Sequence, residues 1–105
     1  MVKVLDEKKA ENILLLDIRA NFPFADYFII CSGYSERQIA ALVNAVIEKA
    51  HQSFKLSAKV EGLPQGGWML IDLVDVIVHI FSPEQRNYYQ LEEVWKDAKT
   101  ILHLQ

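Results

Sequence analysis

This 105-residue sequence contains a single cysteine, Cys31, so no internal disulfide can form and zinc sites built on cysteine pairs are excluded. It has no surplus of cations: Lys and Arg number 11 against 14 Asp and Glu, giving a net charge of −3. A protein that grips a nucleic-acid backbone needs clustered cations to displace counterions, and here they are scattered along the chain. No apolar run approaches the ~20 residues that span a bilayer, which argues against a membrane protein. The opening MVKVLDEKKAEN lacks the apolar stretch of a signal peptide, so a cytoplasmic location is expected. Only four glycines and three prolines are present, and 51 % of the residues are hydrophobic, a composition that excludes disorder. What remains is one mildly acidic domain with enough apolar residues for a core, suited to a basic protein partner.

Apolar periodicity orders the chain. Residues 2–11 read as one or two turns of helix, and Ile13–Ile18 as a buried strand broken by Asn21-Phe22-Pro23. Tyr27–Cys31 is a second apolar strand, rich in aromatic and β-branched residues. Ser35 and Gln38 have capping-box spacing, and Ile39, Leu42, Val43, Val46, Ile47, Ala50 and Phe54 recur at helical intervals behind them. A helix over 36–53 follows. Ala58–Glu61 is a weaker strand, and Leu63–Gly67 a loop. Trp68–Leu73 and Val76–Phe81 form a hairpin, with Ser82-Pro83 starting a helix and a further helix over about Leu91–Ile101. The expected fold is α/β, a mixed sheet of about five strands with helices packed on it.

No reaction chemistry stands out. Asp72 and Asp75 flank the hairpin turn, where aspartates bond local backbone N–H groups, although they could also hold a hard cation. Paired carboxylates that clamp metals for nucleotidyl transfer share a strand face, two residues apart; these are three apart. Ser32-Gly33-Tyr34-Ser35 at a helix start could cradle an anion, but one glycine and no Lys-Ser/Thr pair fall short of a phosphate loop. His51 flanks the long helix, His103 is near the end of the sequence, and His79 lies inside a strand, where a lone histidine is usually a hydrogen-bonded structural residue. Cys31 in an apolar strand is simplest as a small buried hydrophobe.

The aromatic residues are less easily explained. Trp95 suits a core, whereas Trp68 follows Gly66-Gly67 with little local cover and shares a strand face with Leu70 and Asp72. Met69, Ile71 and Leu73 make the other face equally apolar, so either helices cover both faces or one awaits a partner. Tyr88 and Tyr89, with Arg86 just before, belong to the residue types most enriched in binding hot spots. For Trp68, core and interface are both open.

The stretches LLLDIRANFPFADYFIICSGYSERQ, VEGLPQGGWMLIDLVDVIVHIF and RNYYQLEEVW resemble, in order and spacing, the Iojap/RsfS ribosomal silencing factors. The resemblance implies a nucleotidyltransferase-like fold without a catalytic site, no cofactor, and no enzymatic activity. It implies a translational repressor that binds the large ribosomal subunit through the ribosomal protein numbered fourteen and blocks joining of the small subunit. The positions matching the family's contact surface are Trp68, Leu70, Asp72, Arg86 and Tyr89, supported by His79 and Glu92. Two features depart from the family pattern. Val74 stands where glycine is usual, which speaks against a turn with φ > 0, and the first helix is short, as if the chain began late. Two other readings remain: a nucleotide-binding enzyme remnant using Ser32, Gly33, Ser35, Asp72 and Asp75, and a self-associating homodimer whose apolar sheet faces pair.

Overall fold

The computed structural model describes residues 1–20 and 22–105; of the expected break at Asn21-Phe22-Pro23, Asn21 lies outside the described residues. A short helix α1 (Val2–Glu7) precedes strands β1 (Glu11–Asp17) and β2 (Tyr27–Ser32). The long helix α2 (Glu36–Phe54) leads to β3 (Lys59–Glu61), a 3₁₀ turn at Pro64–Gly66, and the hairpin of β4 (Trp68–Asp72) and β5 (Val76–Phe81). Two short helices, α3 (Pro83–Tyr89) and α4 (Leu91–Val94), lead into β6 (Lys99–Leu104). The strands form one mixed sheet in the order β3-β4-β5-β2-β1-β6, parallel between β2 and β5 and antiparallel elsewhere.

The mixed sheet and its helices are as expected; the described residues form six strands instead of about five. The difference is the end of the chain, where the helix expected over Leu91–Ile101 stops at Val94 and the backbone becomes β6. β1 carries alternating apolar side chains for both sheet faces, and its outer edge would otherwise present unpaired backbone groups. Residues 99–104 fill that edge, from Asp17 opposite Lys99 to Ile13 opposite Leu104. His103 fastens the pairing, its Nε2 lying 2.9 Å from Asn12 Oδ1.

α2 starts where the capping spacing places it. The Ser35 hydroxyl accepts from the Gln38 N–H at 3.0 Å, while the Gln38 amide oxygen accepts from the Tyr34 N–H at 2.7 Å. Its apolar stripe of Ile39, Leu42, Val43, Val46 and Ala50 packs on one face of the sheet. There it meets Leu5 from α1, Ile13, Ile29 and Cys31, and the inward residues Met69, Ile71, Val78 and Ile80 of the hairpin. Cys31 is fully buried and its thiol is pushed up to about 12 by that burial, as suits an inert packing residue.

The opposite face is covered less completely. Leu16, Phe28, Ile30 and Phe81 are buried there beside Ile18 and Ala25. Phe22, Leu91 and Trp95 pack against their margin. The Trp95 ring sits 5.1 Å from Phe28 and 5.6 Å from Phe22, so this half-buried tryptophan packs against the core.

The hairpin turn departs from the sequence reading. Val74 adopts φ 76° despite its branched Cβ, and its N–H donates to Asp72 Oδ1 at 2.8 Å. Such a conformation costs on the order of 1–3 kcal/mol for a non-glycine residue. Glycine would remove that strain while losing ~0.5–1 kcal/mol to unfolded-chain entropy. We therefore expect Val74→Gly to raise stability by about 1 kcal/mol, measured as a higher urea midpoint at unchanged slope; a lowered midpoint contradicts the strain.

The candidate partner-binding face

Strand alternation assembles the site. The antiparallel register sets Trp68 opposite Phe81, Leu70 opposite His79 and Asp72 opposite Ile77. These six residues share the less covered sheet face, where β5 adjoins Phe28 and Ile30 of β2. Trp68, Leu70 and Asp72 are all half-buried, while Met69, Ile71 and Leu73 on the other side are buried under α2. Trp68 is thus neither wholly core nor wholly exposed.

Its indole is held on three sides. It stacks on Phe81 at 4.9 Å and leans on Tyr89 at 4.6 Å, and its Nε1–H donates to His79 Nδ1 at 3.2 Å. That bond requires Nδ1 to be unprotonated, which places the proton of neutral His79 on Nε2. His79 is 4 % exposed, and the edge of Phe28 packs on it at 4.8 Å. Its Nε2 is buried with no hydrogen-bond partner among the described residues. Burial pushes the imidazole down to about 4, so it is neutral at physiological pH. Beside Trp68 and Leu70, Glu61 and Gly62 close a small hollow of about 230 Å³. Tyr89, at the end of α3, is 46 % exposed and prolongs the aromatic surface.

Arg86 is placed differently from a surface contact: it is only 8 % exposed and its guanidinium is occupied by the fold. Nη1 donates to the Asn12 carbonyl at 2.7 Å and to the Ser32 hydroxyl at 2.9 Å, and Nε pairs with Glu92 Oε2 at 3.2 Å. Glu92 is therefore its internal counter-ion. The seven positions singled out from the sequence divide into an outer set and a supporting set. Trp68, Leu70, Asp72 and Tyr89 reach solvent; His79, Arg86 and Glu92 hold α3 and the indole in place.

Sequence reasoning passed over Ile77, Phe22 and Phe24, which extend the face towards the hairpin tip. Ile77 was accessible from β5 alternation alone; Phe22 and Phe24 are brought there by the loop between β1 and β2.

The residues of a nucleotide site are not gathered together. Ser32 pairs with Phe81 at one end of the β2–β5 ladder and Tyr27 with Val76 at the other, beside Asp75. Five strand steps separate those ends by about 16 Å. The Ser32 hydroxyl is engaged by Arg86 and the Ser35 hydroxyl by the α2 cap. His51 is exposed on the last turn of α2, and His103 bonds Asn12; neither joins His79.

The buried imidazole gives stability a definite pH dependence. Its unfolded value is 6.5 and its folded value about 4, so the unfolded chain binds the extra proton between them. The contribution of neutral His79 is complete above about pH 6.5 and is lost as pH falls towards 4, by on the order of 3 kcal/mol. We expect the urea midpoint to fall between pH 7 and pH 4.5, and His79→Asn to show a flatter profile. Identical profiles for the two proteins contradict a buried neutral imidazole.

Known proteins give this architecture its context. The family model for ribosomal silencing factor during starvation matches residues 1–105. A ribosomal silencing factor from Bacillus subtilis is 42 % identical over 93 residues, which cover 89 % of this chain and 79 % of that protein. Its counterpart from Halalkalibacterium halodurans is 40 % identical over 100 residues, 95 % of this chain and 86 % of that one. A crystal structure of a Chromobacterium violaceum protein superposes with a TM-score of 0.84 at 32 % identity, covering 90 % of this chain and 79 % of that one. The family model's match over residues 1–105, together with these relatives in sequence and fold, makes the chain a member of the ribosomal silencing factor family.

Proposed function

We propose that the chain represses translation by docking its Trp68 face on the large ribosomal subunit, at the protein numbered fourteen, where it obstructs joining of the small subunit. The observation that carries the reading is the half-covered sheet face, with an aromatic anchor fixed at one end of β4. A surface of this composition, apolar in the middle with Tyr and Trp, matches what protein interfaces bury. Trp68, Leu70, Asp72 and Tyr89 are the contact residues in this reading. His79, Arg86 and Glu92 support it from beneath, the first by fixing the indole and the others by fixing α3.

The net charge of −3 favours a basic ribosomal protein over direct contact with rRNA as the main attraction. The protein acts by binding and steric exclusion, without catalysis. The separation of Ser32 and Ser35 from Asp72 and Asp75 along the sheet supports this over a nucleotide-processing enzyme.

Trp68→Ala is the direct test. Removing a central aromatic anchor commonly costs about 2 kcal/mol of binding, roughly thirtyfold in affinity. The expected result is loss of co-sedimentation with purified large subunits by a variant that still melts cooperatively, at a lower midpoint. A folded variant that sediments with large subunits like the wild type overturns the assignment.

A further inference from the structure

The hairpin tip beside the Trp68 face carries apolar surface that the fold does not use. Val74 is 68 % exposed while holding φ 76°, a conformation glycine adopts freely. Its isopropyl group is thus kept at a cost in backbone strain and buries little in return. Phe24, 79 % exposed, lies in the same region, its ring edge-on to Phe22 at 5.5 Å. With Phe22, Lys59, Asp72 and Ile77, these two side chains line a groove of about 420 Å³. The groove is continuous with the Trp68 face, because Asp72 and Ile77 belong to both.

Its surroundings carry a sign. Asp72 lines the wall; the exposed Asp75 follows Val74 in the turn, and the exposed Asp26 is tied to it by its N–H, which donates to the Asp75 carbonyl at 2.8 Å. Of these, only Asp72 lines the groove itself, opposite the Lys59 ammonium; Arg19, the cation near Asp26, is already paired with Asp17 at 2.7 Å, so the balance around the groove stays acidic. An apolar floor with a net acidic rim complements an apolar side chain that has a lysine or arginine neighbour.

We propose that this groove is a second anchor of the same interface, receiving an apolar residue flanked by a basic one from the ribosomal protein partner, and that Val74 is its specificity wall. The inference rests on the docking reading above. It explains why a strained valine occupies the turn: the strain is tolerated for the contact.

The test is equilibrium binding of wild type and variants to purified large ribosomal subunits, with thermal melts of the same preparations. Val74→Gly is expected to melt higher than wild type and yet bind at least threefold more weakly. Phe24→Ser, at a more exposed position, should weaken binding similarly with little change in melting. Lys59→Glu should tighten binding by making the rim more acidic. If wild type binds but Val74→Gly and Phe24→Ser bind equally well, the groove is not an anchor and the docking reading stands without it. A Lys59→Glu variant that binds more weakly overturns the basic occupant. Wild type that fails to bind large subunits removes the docking reading and this inference with it.

Discussion

The less covered side of the sheet depends on how Arg86 is held. A guanidinium this far from water is tolerated only when its donors are paired, and here they reach three separate elements. The Asn12 carbonyl belongs to the bulged start of β1, the Ser32 hydroxyl to the end of β2, and the Glu92 carboxylate to α4. Asn12 presents its carbonyl from φ 53°, a left-handed conformation that asparagine tolerates better than most residues. Ser32, paired with Phe81, lies at the end of the ladder from which α3 departs. The clamp therefore fixes α3 across one end of the sheet face. Tyr89 is thereby set against Trp68, while Leu70 and Ile77 are left only partly covered. An open strip on an otherwise packed sheet follows from where that one charge is anchored.

The same arrangement accounts for how a half-buried tryptophan remains rigid. Phe81 behind it, Tyr89 beside it and the His79 acceptor remove most of the rotamer freedom that binding would otherwise have to suppress. His79 is suited to this only while neutral, and its burial keeps it so. The other face needs no such devices, because the 19-residue amphipathic helix α2 covers it, with Leu5 of α1 packed alongside. With α1 and the long α2 on one side of the sheet and only the short α3 and α4 on the other, that other side stays partly uncovered.

Much of this was legible in the sequence, for identifiable reasons. α2, the β4–β5 hairpin and the Ser82 cap are set by local chemistry: apolar periodicity, cap hydroxyls and a proline at the first helical position. The end of the chain was not, because LEEVWKDAK has good intrinsic helix propensity. The demand of the β1 edge for a partner overrode it beyond Val94. Thr100 and Ile101, both β-branched, were the available hint. Arg86 read as a surface residue because arginine normally is one, and its burial depends on a bulge 74 positions away. Val74 was misread because a branched residue at positive φ is rare. The proposed contact face was half legible: alternation put Trp68, Leu70 and Asp72 together, but only tertiary packing decides which face α2 covers.

Side-chain oxidation footprinting of the protein, free and bound to purified large ribosomal subunits, tests the central claim most directly. The account predicts that Trp68 and Tyr89 become shielded on binding while Phe54, at the far end of α2, is labelled as before. Unchanged labelling of Trp68 together with shielding of Phe54 would contradict it.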